Sequence, residues 1–80
     1  MRTFALICAY NEQGTVAKVV GGALRHVDNV IVVDDGSIDG TAAAVRRAFG
    51  RNRKVLLVSY GLNRGKGYAL RTGLREFLRM

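Results

Sequence analysis

Three apolar runs, at residues 3–9, 30–33 and 54–60, divide this chain into regular intervals. They lack the polar alternation of a half-exposed strand, so they read as strands covered on both faces. Between them the pattern changes period. Val16, Val19, Val20, Ala23, Leu24 and Val27 recur at the spacing of one helix face. Asn11 is placed to cap this helix and Glu12 to sit in its first turn, where the helix dipole favours an anion. Gly21 and Gly22 soften the helix and allow close packing on a sheet. Asp28 and Asn29 make the turn into the second strand. A second helix spans 41–49, with Ala42, Val45, Ala48 and Phe49 on one side and Gly50 as its C′ residue. Residues 61–67 form a glycine- and cation-bearing loop. A third helix follows, with Ala69, Leu70, Gly73, Leu74, Phe77 and Leu78 on its apolar side.

The predicted order is β-α-β-α-β-α, an α/β arrangement. Strands begin near residues 3, 29 and 54, a repeat of roughly 25 residues that suits βα units. Right-handed crossovers then give a three-stranded parallel sheet with helices on both faces. Every strand ends on the same edge. That edge collects Tyr10, Asn11 and Glu12, then residues 34–39, then residues 60–66. Open α/β sheets bind ligands along it.

Composition narrows the class. With 80 residues the chain is one domain at most, burying roughly 60–65% of its unfolded surface. At 49% hydrophobic residues and mean hydropathy +0.08 it is too apolar for disorder. Thirteen Lys and Arg against six Asp and Glu make a formal charge of +7. This favours polyanions (nucleic acid, an anionic membrane surface, phosphate groups) or, equally, marks solvated helix faces bearing Arg46, Arg47, Arg71, Arg75 and Arg79. The lone Cys8 makes no internal disulfide, which suits a reducing compartment. No signal peptide and no apolar run long enough to span a membrane are visible. The expected location is cytoplasmic, with peripheral contact at the inner membrane surface compatible with the charge.

The strand ends supply the candidate chemistry. Carboxylates there accept hydrogen bonds from ribose hydroxyls and from the N–H edge of a base. Helix N-termini and Lys66 attract phosphate, and the Tyr10 ring can flank a base. Acids for the nucleoside and cations for the phosphates describe a nucleotide site. Adjacent strand residues point to opposite sides, so only one of Asp34 and Asp35 faces a given ligand. The other bonds local backbone. Each residue also has a plainer reading. Glu12 is then a helix charge, Ser37 and Asp39 are cap and turn residues, Lys66 is a solvated cation, Cys8 is a core thiol and His26 is exposed. Several motifs fail. Three residues separate Gly61 from Gly65-Lys66, and Gly67 follows, so there is no P-loop. No Gly-x-Gly-x-x-Gly follows the first strand, and neither a metal-ligand cluster nor a nucleophile–His–acid set is present. Paired acids also occur in response regulators, but there they follow the first strand and need a third Asp where Ser59-Tyr60 stands.

Three segments in order carry a resemblance: residues 7–12 (Ile-Cys-Ala-Tyr-Asn-Glu), 31–41 (Ile-Val-Val-Asp-Asp-Gly-Ser-Ile-Asp-Gly-Thr) and 63–67 (Asn-Arg-Gly-Lys-Gly) running into residues 69–73. Together they resemble the N-terminal part of the family-2 glycosyltransferases of GT-A fold, most of all the polyprenyl-phosphate (dolichyl-phosphate) mannosyl- and glucosyltransferases. The resemblance covers nearly the whole chain. It implies the nucleotide-binding half of a Rossmann-like domain, taking a UDP- or GDP-sugar. Tyr10 and Glu12 then meet base and ribose, Asp35 accepts from the base, Asp34 supports the turn and Lys66 lies near base or phosphates. Cys8 and Ile38 depart from the family, which usually has Pro at the first and Thr or Pro at the second. In the family, Mg²⁺ or Mn²⁺ is bound by an Asp-x-Asp motif after a fourth strand, and the acceptor site comes later. This chain ends at Met80, before either. The expectation is a partial domain that holds no catalytic or metal-ligating residue and is inactive alone. The reaction implied is sugar transfer to a lipid phosphate or glycan. The alternatives are a small non-catalytic nucleotide-binding module and, ranked last because the cations are scattered along the chain, a nucleic-acid or membrane-surface binder. Three strands alone leave apolar surface uncovered, which favours self-association or a missing C-terminal part.

Overall fold

A computed structural model describes residues 2–79. The elements are β1 (Phe4–Ala9), α1 (Val16–Leu24), β2 (Asn29–Asp35), α2 (Thr41–Phe49), β3 (Val55–Tyr60) and α3 (Lys66–Arg79), the expected alternation. The strands form one parallel sheet in the order β1-β2-β3. Val32 lies opposite Ile7 on one side and Leu57 on the other.

The central position of β2 explains its uniform apolarity. All of its residues are buried, whereas β1 and β3 are mostly half-buried edges. Its side chains alternate between two cores. Val30 and Val32 pack with Val16 and Val20 of α1 and Val45 of α2. Ile31 and Val33 pack on the other face with Ala69 of α3. Burying each such Val or Ile side chain contributes about 1.5–3 kcal/mol. Gly73 lets α3 lie close over β1, because a Cβ there would stand 2.2 Å from Leu6 Cδ1. Beyond Gly73 the helix is less covered. Phe77 meets Phe4 edge-on at 4.3 Å, but Leu74 and Leu78 are exposed. A groove of about 200 Å³ opens there among Phe4, Leu6, Leu74 and Phe77.

Several local expectations change. Helix α1 begins at Val16, so Asn11 does not cap it and Glu12 lies outside its first turn. Asn11 instead has φ +52° and belongs to a tight turn between strand and helix. Lys66 is the first residue of α3 rather than part of the preceding loop. Asn29 belongs to β2 and is buried. Gly21 faces Phe49 of α2, not the sheet. Val19 is half-exposed, Ala48 is exposed, and Ala44 packs on the core in its place. Gly50 closes α2 in a right-handed conformation through its N–H to the Arg46 carbonyl, so no left-handed cap forms.

Topology also sorts the charges. Arg2, Arg25, Arg46, Arg47, Arg51, Arg53 and Lys54 fall near strand starts or the ends of α1 and α2, on the amino-terminal edge of the sheet. Glu12, Asp34, Asp35 and Asp39 fall on the opposite edge. Seven of the thirteen cations, scattered in sequence, therefore share one edge. Among the described residues, no helix is long and apolar enough to cross a membrane.

Candidate functional site

The end of β2 builds the site. Asp34 and Asp35 are both buried there, and their side chains diverge as strand alternation requires. Register decides their partners. Ser59 lies opposite Asp34 and Tyr60 opposite Asp35.

Asp34 serves the turn. Its Oδ1 accepts the Ser37 N–H at 3.1 Å and its Oδ2 the Ser59 hydroxyl at 3.2 Å. Gly36 follows with φ +70°, and a Cβ there would lie 2.2 Å from the backbone of Leu62 and Asn63. The turn after β2 thus abuts the loop after β3, and only glycine fits.

Asp35 serves that second loop. Its Oδ1 accepts the Tyr60 hydroxyl at 2.6 Å and the Arg64 N–H at 2.9 Å, and its Oδ2 accepts the Gly65 N–H at 3.2 Å. Burial pushes this carboxyl up, but the bonds from Tyr60, Arg64 and Gly65 outweigh it, and the net shift is below the usual carboxylate range. The Tyr60 phenol is pushed far up by burial and by the same bond. The ring of Tyr60 meets Tyr68 edge-on at 5.2 Å, and the Arg64 guanidinium lies 5.2 Å from the Tyr68 centroid. Asp35 therefore ties the residues leading into α3, directly before Lys66, to the end of β2.

The loops after β1 and β2 are laced together separately. Ser37 Oγ accepts from Asn11 N–H and Thr41 Oγ1 from Glu12 N–H, both at 2.8 Å. Asn11 Oδ1 accepts from Ile38 N–H at 2.9 Å, and Gln13 Oε1 from Gly40 N–H at 2.7 Å. Asp39 accepts from the Thr41 hydroxyl and N–H and from Gln13 N–H. The Thr41 hydroxyl chiefly holds the Asp39 carboxyl below its usual range. Ser37 and Asp39 are turn residues, as their plainer reading has it.

Between the two sets of contacts lies a cleft of about 230 Å³, lined by Cys8, Ala9, Tyr10, Glu12, Asp35 and Lys66. Four of the five sequence-predicted residues thus meet in one cavity, and Asp34 stands outside it in the turn. Tyr10 is 45% exposed, free to present its ring, and its N–H donates to Glu12 Oε1 at 3.3 Å. Cys8 packs with the α3-side core as well as lining the cleft. Its thiol is pushed up by burial, against an opposing pull from Lys66. His26 is exposed. Several partners, Tyr60 and Gln13 among them, are not announced by any motif in the sequence. Tyr60 had a signal in the pairing of strand ends, since residues opposite one another in a parallel sheet share a face. Gln13 had none, because its role depends on the path of the turn.

No group of three or more potential metal ligands occurs among the described residues. Asp34 and Asp35 point apart and are engaged by protein donors. The described residues do not fit the Mg²⁺ or Mn²⁺ that the resemblance implies.

A three-layer α/β sheet with a polar cleft at the carboxyl edge of its strands defines a ligand-binding domain of Rossmann-like, GT-A type. The particular family follows from comparison with known proteins. The glycosyl transferase family 2 model matches residues 4–78, and the chain belongs to that family. It is 33% identical to a UDP-N-acetylglucosamine–dolichyl-phosphate N-acetylglucosaminyltransferase of Methanococcus voltae, over 91% of this chain and 34% of that protein. It is 34% identical to a poly-β-1,6-N-acetyl-D-glucosamine synthase of Staphylococcus epidermidis, over 92% of this chain and 18% of that one. Among solved structures, the mannosyltransferase PcManGT of Pyrobaculum calidifontis, in complex with GDP-Man and Mn²⁺, superposes with TM-score 0.82 at 32% identity, covering 94% of this chain and 24% of its own. The chain thus spans about a third or less of the length of these relatives.

Proposed function

We propose that this chain supplies the nucleotide-binding part of a glycosyltransferase that moves a sugar from a nucleoside-diphosphate donor to a lipid phosphate or glycan. The observation that carries the reading is the cleft uniting Tyr10, Glu12, Asp35 and Lys66 at the ends of β1 and β2 and the start of α3. Tyr10 flanks the base and Asp35 accepts from its N–H edge. Glu12 takes the ribose hydroxyls, and Lys66 at the head of α3 faces the phosphates, where ammonium charge and helix dipole act together. Asp34 shapes the turn and touches no ligand. The named relatives bring UDP-N-acetylglucosamine, GDP-mannose and a dolichyl-phosphate acceptor into consideration, so a polyprenyl phosphate acceptor and work at the inner face of a membrane are part of the proposal.

The chain by itself binds nucleotide and does not transfer sugar, because no ligand set for a divalent ion is gathered among the described residues to stabilise a departing diphosphate. Titration of UDP and GDP into the chain tests the reading. Saturable binding that disappears in Asp35→Ala is expected; no binding at millimolar nucleotide sinks it. A parallel assay with labelled sugar nucleotide and dolichyl phosphate should show no product.

A further inference from the structure

The relatives named above use both a uridine and a guanosine sugar nucleotide, so comparison leaves the base open. The hydrogen-bond inventory of Asp35 does not. An ionised carboxylate accepts about four hydrogen bonds, two on each oxygen. Oδ1 already takes the Tyr60 hydroxyl at 2.6 Å and the Arg64 N–H at 2.9 Å. Oδ2 takes the Gly65 N–H at 3.2 Å. Among the described residues this leaves one acceptor position, on Oδ2.

We propose that Tyr60 determines the base preference of this cleft: by filling Oδ1 together with the Arg64 amide, it restricts Asp35 to a base with one N–H to give, and so selects uracil over guanine. This rests on the reading that Asp35 faces the base. Guanine presents N1–H and a 2-amino N–H side by side, and a carboxylate meets both only with both oxygens free. With Oδ1 filled, one of these donors enters the cleft without a partner. Uracil presents a single imide N–H flanked by carbonyls. The Cys8 thiol, which lines the same cleft, is a donor for such a carbonyl. Adenine and cytosine can offer one amino N–H, but a ring-nitrogen lone pair beside it would face the carboxylate. A buried donor left unpaired discriminates by about tenfold or more.

Tyr60 does not line the cleft and is a positioning residue that acts through Asp35. The test is calorimetric titration of UDP and GDP into the wild-type chain and into Tyr60→Phe. In the wild type, UDP should bind about tenfold or more tightly than GDP. Removing the phenol frees a lone pair on Oδ1. GDP should then gain, UDP should stay within about twofold, and the ratio should fall to about threefold or less. Equal binding, or a GDP preference, in the wild type overturns the proposal without any need of the variant. So does equal weakening of both nucleotides in Tyr60→Phe, the result of a merely structural role. Where both nucleotides bind without preference and both are lost in Asp35→Ala, only this inference falls. Where neither binds, the functional reading falls with it.

Discussion

The two loop regions that meet at the end of β2 are held by different means. On the Asp34 side, the loops after β1 and β2 are joined by at least four separate bonds, from Asn11, Glu12, Ile38 and Gly40 N–H groups to Ser37, Thr41, Asn11 and Gln13 side chains. On the Asp35 side, one carboxylate carries the loop after β3, taking Tyr60, Arg64 and Gly65 at once. The first region is redundant, and the loss of one bond leaves the others in register. The second hangs on a single residue, and that residue also lines the cleft. Redundancy suits a scaffold. A single shared acceptor couples the cleft, the loop and the head of α3, so a change at Asp35 is felt by all three.

The largest effect that would break this contrast is at Gly36, where the two regions touch. Gly36→Ala should cost about 3 kcal/mol or more, from a left-handed φ and a Cβ driven into the Leu62–Asn63 backbone. A urea midpoint close to wild type would show that the loops do not abut as described. Next, Asp35→Ala should cost about 2–3 kcal/mol and abolish nucleotide binding, with faster hydrogen exchange at Arg64 and Gly65; Asp34→Ala should cost about 1–2 kcal/mol and spare those amides. Equal exchange in the two variants would erase the distinction.

The pH dependence sharpens it. The folded carboxyl of Asp35 titrates below its usual value of 3.8. Its contribution is therefore complete above that value and is lost as pH falls through the lower folded one. The stability gap between wild type and Asp35→Asn, followed by urea unfolding, should shrink on acidification below about pH 4. A gap that grows there contradicts the assigned bonds. Ser37→Ala should cost only about 1 kcal/mol and leave nucleotide affinity within about twofold, as a redundant lace predicts. Least of all, charge removal at Arg46 and Arg47, on the far edge of the sheet, should leave UDP affinity unchanged at physiological salt.

Much of this was legible in the chain. The run from Val30 to Val33 lacks alternation because β2 is covered on both faces, and covered strands need no polar side. The divergence of Asp34 and Asp35 follows from pleat geometry alone. Helix entry depends on more than local chemistry. Asn11 and Glu12 have the chemistry of a cap and first turn, but the chain makes a left-handed turn at Asn11 and delays α1 to Val16. Asn11 found its partner in Ile38, which lies far away in sequence, and no local propensity carries that information. The exposed end of α3 is a similar case. Leu74 and Leu78 have the period of a buried face, but β1 is an edge strand and the sheet runs out beneath them.

Order and period in the sequence determined the βα alternation, the parallel sheet, the edge that carries the cleft and the residues able to meet there. These are short-range properties, set by side-chain periodicity and by the chirality of the crossover. The tertiary structure decided what each acid does. Strand register put Tyr60 beside Asp35 and Ser59 beside Asp34. Loop packing then brought Arg64 and Gly65 to the same carboxylate and left Oδ2 one position open. The physical reason is that a carboxylate's function depends on which donors reach it, and those donors lie 25 to 30 residues away along the chain.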